Sequence, residues 1–130
     1  MIKIAVLITS HNRKTKTIKC LQSLFNQKKI KNFKIKVFLV DDGSTDGTSK
    51  AIKNLFPSVK IIKGNGKLFW AKGMFLAWQN SLKVKEKYNY YLWLNDDVDL
   101  FNNAINELLK TIKNNTEIIV GSVCDPITKK

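Results

Sequence analysis

Six of the seven aspartates in this 130-residue chain lie in two short stretches, Asp41-Asp42-Gly43-Ser44-Thr45-Asp46 and Asp96-Asp97-Val98-Asp99. Each follows an apolar, strand-like run: Val37-Phe38-Leu39-Val40 before the first, Tyr91-Leu92-Trp93-Leu94 before the second. With only 10 acidic residues against 23 Lys and Arg, placing carboxylates side by side costs stability unless a cation or hydrogen-bond donors offset the repulsion. The oxygens of Asn95-Asp96-Asp97 suit Mg²⁺ or Mn²⁺, ions that take one or two carboxylates and complete their shell with water and phosphate oxygens. Acidic capping of a helix beginning near Phe101 accounts for Asp99 but not for Asp96 and Asp97. Asp41 and Asp42 read as a carboxylate pair aimed into a crevice, able to accept hydrogen bonds from a base N–H or a ribose hydroxyl. The same stretch must also supply a strand end, a turn at Gly43 and a helix cap from Ser44, Thr45 or Asp46.

A third polar group, Thr9-Ser10-His11-Asn12-Arg13, closes the first apolar run. It offers hydroxyls, an imidazole, an amide and a guanidinium where helix N-terminal amides are free to meet an anion. A lone histidine in such a loop is more often a polar surface or capping residue, and only its neighbours raise His11 above that.

Several familiar motifs fail on inspection. A calcium loop starting at Asp42 would need a bidentate Glu where Lys53 stands. A phosphatase-type DxDGT is broken by the order Asp-Asp-Gly-Ser-Thr. Gly64-Asn65-Gly66-Lys67 lacks both the upstream glycine and the Ser or Thr of a phosphate loop, and Phe69 replaces the third glycine of a dinucleotide fingerprint. Beyond it, Trp70, Met74, Ala77 and Trp78 recur at helical spacing, which predicts a core-facing stripe, most firmly for Trp78 and less for Trp70 at the loop edge.

The elements that must position these groups alternate. Apolar, β-rich runs near 2–9, 35–41, 59–63, 90–95 and 117–123 are separated by helical periodicity near 15–27, 46–55, 70–84 and 101–113. Alternation of this kind predicts an α/β fold, a Rossmann-like parallel sheet with helices on both faces and functional loops at the carboxyl ends of its strands. Both acidic clusters sit there. With 44% apolar residues and no linker or repeat, residues 1–130 read as one domain or part of one.

The net charge of +13 suits nucleic acid, an anionic membrane face or phosphorylated small molecules, and alone does not choose among them. Lysines are spread along the chain without a basic tail, and no basic cluster is interleaved with aromatics, which weighs against nucleic acid. Cys20 and Cys124 fit neither a zinc spacing nor a disulfide framework, so a reducing cytosol is the natural home. The first apolar run is too short to span a membrane and no cleavage site follows it.

Taken in order, the strand ending in Thr-Ser-His-Asn-Arg, the helix closing Leu21-Gln22-Ser23-Leu24-Phe25-Asn26-Gln27, Val40-Asp41-Asp42-Gly43-Ser44-Thr45-Asp46-Gly47-Thr48, the segment Gly64–Gly73 and Leu94-Asn95-Asp96-Asp97-Val98 resemble the nucleotide-binding part of a family 2 glycosyltransferase of GT-A fold, close to its rhamnosyltransferase-like members. The resemblance covers nearly the whole chain. It implies transfer of a sugar from a UDP- or dTDP-linked donor to an acceptor hydroxyl, inverting and dependent on Mn²⁺ or Mg²⁺, for cell-surface glycan synthesis. It places Thr9, His11, Asn12, Arg13, Asp41, Asp42, Gly66 and Asp96 at the nucleotide sugar and Asp97 on the metal. Asn95 stands where the family has its first acid, and His11 where many relatives have Tyr. Glu107, Glu117 and Asp125 match no base motif, so the catalytic base is expected outside this chain. The last residues resemble the family's fifth strand and the turn where the acceptor half would begin, so the chain reads as a truncated donor-binding portion. The expected partners are the donor and a glycan or lipid-linked acceptor, with peripheral association at the cytoplasmic membrane face and self-association through an opened core. The alternative is a non-catalytic nucleotide-binding or scaffold module.

Overall fold

The computed structural model describes residues 1–28, 32–114, 116–125 and 127–128. Four strands, β1 (Ile2–Ser10), β2 (Phe33–Asp41), β3 (Lys60–Lys63) and β4 (Tyr90–Trp93), alternate with α1 (Lys14–Phe25), α2 (Thr48–Leu55) and α3 (Phe69–Leu82), and α4 (Ala104–Thr111) follows β4. The sheet runs β3-β2-β1-β4 and every pairing is parallel. This is the predicted α/β architecture with helices on both faces.

Burial follows the sequence pattern. The continuous apolar runs of β1 and β2 occupy the centre of the sheet, where both faces need covering. Ile4, Val6 and Ile8 alternate onto the face packed by Cys20, Leu21 and Leu24 of α1, Ile52 of α2, and Ile105 and Leu109 of α4. Ala5, Leu7, Phe38 and Val40 point the other way, against Met74 and Ala77 of α3. Leu7 and Phe38 are wholly buried, and each such side chain contributes about 1.5–3 kcal/mol. The four residues of β4 alternate between half-buried and exposed, as suits an edge strand. On the α3 face α3 lies tight against β1: a Cβ at Gly73 would come within 2.2 Å of Thr9 Oγ1. Only glycine allows that approach.

Two expectations are corrected. Residues 117–123 form no strand, and Ile118, Val120 and Val123 are 93%, 84% and 95% exposed. An apolar β-branched run becomes a strand only when a sheet edge pairs with it, and among the described residues β4 pairs with β1 alone. Of the turn expected after it, Pro126, Lys129 and Lys130 lie outside the described residues. Trp78 is likewise 37% exposed, not core. The buried face of α3 runs through Gly73, Met74, Ala77 and Ser81. At about 100° per residue, Trp78 lies about 40° beyond Met74 at the rim of this face, whereas Trp70 falls within its arc but in the first turn, at the cleft, where it is 51% exposed.

Candidate functional site

The carboxyl ends of β1, β2 and β4 and the start of α3 enclose an open cleft of about 610 Å³, lined by Thr9, Ser10, His11, Arg13, Asp42, Phe69, Trp70, Asn95, Asp96 and Asp97. Six of the residues singled out from the sequence therefore converge: Thr9, His11, Arg13, Asp42, Asp96 and Asp97. Asn12, Asp41 and Gly66 stand behind this lining and are bonded into its wall.

Asp42 organises one side. Its Oδ1 accepts the Gly66 N–H at 2.8 Å, and its Oδ2 accepts the N–H groups of Leu68 at 2.9 Å and Phe69 at 3.1 Å. One carboxylate thus ties down the Gly64–Leu68 loop and caps the first amides of α3, where negative charge is favoured. Phe69, between this cap and the helix, has φ 55°, a left-handed conformation that costs a non-glycine residue about 1 kcal/mol or more. Gly43 and Gly66 pass so closely that a Cβ on Gly43 would sit 3.0 Å from the Gly66 backbone. Asp41 turns away from the cleft and is bonded to the Ser44 N–H at 3.0 Å and to the Ser49 hydroxyl. The two adjacent carboxylates avoid repulsion by facing different donors.

His11 donates from Nδ1 to the Asp42 carbonyl at 2.6 Å, and its Nε2 lies 3.4 Å from the Asn12 side-chain nitrogen. Asn12, at φ 49°, accepts the Thr45 N–H at 2.7 Å through its side chain and donates its own N–H to the Ser44 hydroxyl at 2.9 Å. Asp46 accepts the Lys14 N–H and the Thr48 N–H, both at 3.0 Å, and so caps α1 and α2 together. The Thr48 hydroxyl and these amides hold its carboxyl below the usual range. The Thr9–Arg13 loop and the Asp41–Asp46 loop, both predicted as ligand sites, thus also clamp the first two helices together.

On the far side, Arg13 Nη1 donates to Asp96 Oδ1 at 3.3 Å and to Asp97 Oδ2 at 3.1 Å. Asp96 is 7% exposed; burial raises its pKa, against the Ser10 hydroxyl and Arg13, which pull it down. Asp97 is half exposed at the cleft mouth. Asp99 faces away, paired with Lys19 at 3.1 Å. The Asn95 side chain accepts the indole N–H of Trp70 at 2.9 Å, and its carbonyl accepts the Cys20 thiol at 3.4 Å. Burial and the nearby aspartates push that thiol up to about 12, so it is no nucleophile.

Among the described residues no three His, Cys, Asp or Glu side chains form a metal cage. The Asp96–Asp97 pair nonetheless fits Mg²⁺ or Mn²⁺, which need only one or two carboxylates when water and a diphosphate supply the rest.

Three positioning roles were not foreseen, although the sequence analysis names residues that fill them. Ser10 lies in the cleft beside Asp96. Buried Gln27 donates to the carbonyls of Ser23 at 3.1 Å and Phe101 at 2.7 Å and accepts the Ile105 N–H at 3.0 Å, which fixes the chain after Asp99 onto α1. Trp70, Trp78 and Trp93 form a chain of ring contacts at 6.0 and 6.2 Å beside the cleft. The signals for Gln27 were its place in the Leu21–Gln27 motif and its polarity at the end of an amphipathic helix, neither of which named its partners.

No curated protein sequence matches the chain, but solved structures do. S. aureus TarS, residues 1–349, matches 84% of this chain over 32% of its own, with 18% identity and TM-score 0.67. The same protein in complex with UDP matches with TM-score 0.69 and 19% identity, over 84% of this chain and 31% of that one. A mannosyltransferase from Pyrobaculum calidifontis in complex with GDP-Man and Mn²⁺ matches at TM-score 0.51 and 21% identity, over 59% of this chain and 24% of that one. The chain therefore spans about a third or less of these proteins, and at such identities the likeness establishes the fold, that of GT-A glycosyltransferases. The sequence profile described as Glycosyl transferase family 2 matches residues 5–129, and with the parallel sheet and its acidic cleft this makes the chain a member of glycosyltransferase family 2.

Proposed function

We propose that residues 1–130 are the donor-binding portion of a glycosyltransferase that moves a sugar from a nucleoside diphosphate to an acceptor hydroxyl with inversion. The observation that carries this is the convergence of His11, Arg13, Asp42, Asp96 and Asp97 in one cleft at the carboxyl ends of parallel strands, where this sheet topology places nucleotides. The structures of related fold solved with UDP and with GDP-Man and Mn²⁺ support it.

In this reading Thr9, the His11 ring and the Asp42 wall meet the base and ribose. Asn12, Asp41 and Gly66 hold that wall, and Arg13 and Asp96 meet the diphosphate or ribose. Asp97, with Asp96 beside it, would hold Mn²⁺ or Mg²⁺, which when bound supplies Lewis-acid stabilisation of the departing diphosphate. Arg13 adds a positive charge where the leaving group gains negative charge. No carboxylate in the cleft is left to deprotonate the acceptor, so the base belongs to an acceptor-binding half outside these residues, and a sugar or lipid-linked acceptor would enter from that side. No helix among the described residues is long and apolar enough to cross a membrane; peripheral contact with a membrane-borne acceptor is part of this reading.

Calorimetric titration with UDP and dTDP, each with Mn²⁺ and with chelator, tests the proposal on wild type and Asp97→Ala. Metal-dependent binding that Asp97→Ala abolishes is the expected result. Failure of a demonstrably folded chain to bind either nucleotide would overturn the donor-site reading of this cleft.

A further inference from the structure

The cation position of the cleft already has an occupant. A single nitrogen of Arg13, Nη1, bonds to Asp96 and Asp97 together, and the next acidic residue, Asp99, has its own counter-ion in Lys19. The pair alone carries a formal charge of −2. With Arg13 in place this falls to −1, and a divalent ion arriving alone would meet both a weakened field and a cation at close range. Asp96 is buried while Arg13 is half exposed, so Arg13 is the partner free to move. It stands at the N-cap of α1, at the lip of the cleft, and its forked guanidinium binds phosphate oxygens as readily as carboxylates.

We propose that Arg13 is a resident counter-ion of the Asp96–Asp97 pair, which excludes divalent metal until a diphosphate draws the guanidinium away. Metal and diphosphate then bind as a coupled pair: the diphosphate gives Arg13 a new partner, and the vacated carboxylates accept the ion. Because such coupling is reciprocal, each ligand raises affinity for the other by the same factor. Arg13 is a competitor of the metal for the two carboxylates and a direct contact for the diphosphate. This inference rests on the donor-site reading for its second half, while its first half concerns Mn²⁺ alone.

The test measures Mn²⁺ binding, by calorimetry and by the electron paramagnetic resonance signal of free Mn²⁺, to wild type, Arg13→Ala, Arg13→Lys and Arg13→Ala/Asp97→Asn, each with and without UDP. Arg13→Ala is expected to bind Mn²⁺ alone at least about tenfold more tightly than wild type, since a cation near the site is gone. It should bind UDP with Mn²⁺ at least about tenfold more weakly. Arg13→Lys should fall between, and Asp97→Asn should cancel the gain. A merely structural role would weaken both ligands together. Unchanged or weaker Mn²⁺ binding by an Arg13→Ala protein with the wild-type circular dichroism spectrum and melting temperature would overturn the proposal. Tighter Mn²⁺ binding with no UDP binding in any variant would sustain the counter-ion and instead refute the donor site and the coupling built on it.

Discussion

Asp42→Asn separates a carboxylate that builds the cleft from one that waits for a ligand. The substitution changes neither volume nor shape, so no cavity term enters. The native carboxylate, 4% exposed, accepts three backbone N–H groups from Gly66, Leu68 and Phe69. An amide offers one oxygen. In one orientation the side-chain NH₂ faces the amides of Leu68 and Phe69; in the other it faces that of Gly66. At least one backbone donor is orphaned either way, at about 1–3 kcal/mol. The surviving bonds also lose their charge assistance, and α3 loses a negative charge at its N-terminus, worth about 0.3–1 kcal/mol. The sum is about 2–4 kcal/mol, a large share of the 5–15 kcal/mol by which domains are typically stable. Urea denaturation would show it as a lowered midpoint at constant slope, and half-exposed Asp97→Asn, as a control, should move the midpoint by under about 1 kcal/mol. If Asp42→Asn stayed within about 0.5 kcal/mol of wild type while losing nucleotide affinity, Asp42 would be a ligand group and the wall argument would be wrong.

Gly73→Ala should destabilise the fold by about 1–2 kcal/mol: overpacking against Thr9 at about 1–3 kcal/mol outweighs the gain of up to about 1 kcal/mol in helix propensity. A double-mutant cycle with Thr9→Ala should recover part of the loss, and additive effects would refute the contact. Asp96 has its pKa raised by burial, so the folded chain holds that proton more tightly than the unfolded chain does. Its ionised form therefore opposes folding above the folded pKa, and the penalty fades as pH falls through it toward the unfolded value. Asp96→Asn should accordingly raise the melting temperature at pH 7 by an amount that shrinks in acid; a gain that grows in acid would contradict this. The open β4 edge and the exposed aromatic flank predict self-association, and light scattering that gives the monomer mass at every concentration would dismiss it.

The convergence of the cleft was legible because parallel strands of period two deliver their ends to one side, and the acidic runs stood directly after strands. What stayed hidden is non-local. Asp41 and Asp42 look equivalent in sequence, and what separates them is that the amides of Gly66, Leu68 and Phe69 arrive beside Asp42 alone. Asp46 could be read as a cap for α2, but its bond to Lys14 of α1 joins residues 32 apart. Trp78 failed because a four-residue row does not stay on one face of a helix. Residues 117–123 failed because strand formation depends on a neighbour that local pattern cannot supply.

All three tryptophans of the chain stand in one file beside the cleft, with Trp70 in its lining. They are 51%, 37% and 48% exposed in chain order. Ultraviolet emission from this protein therefore originates at a single address. A molecule entering beside Trp70 would alter the surroundings of these indoles directly. The fold thus carries a built-in optical probe of cleft occupancy.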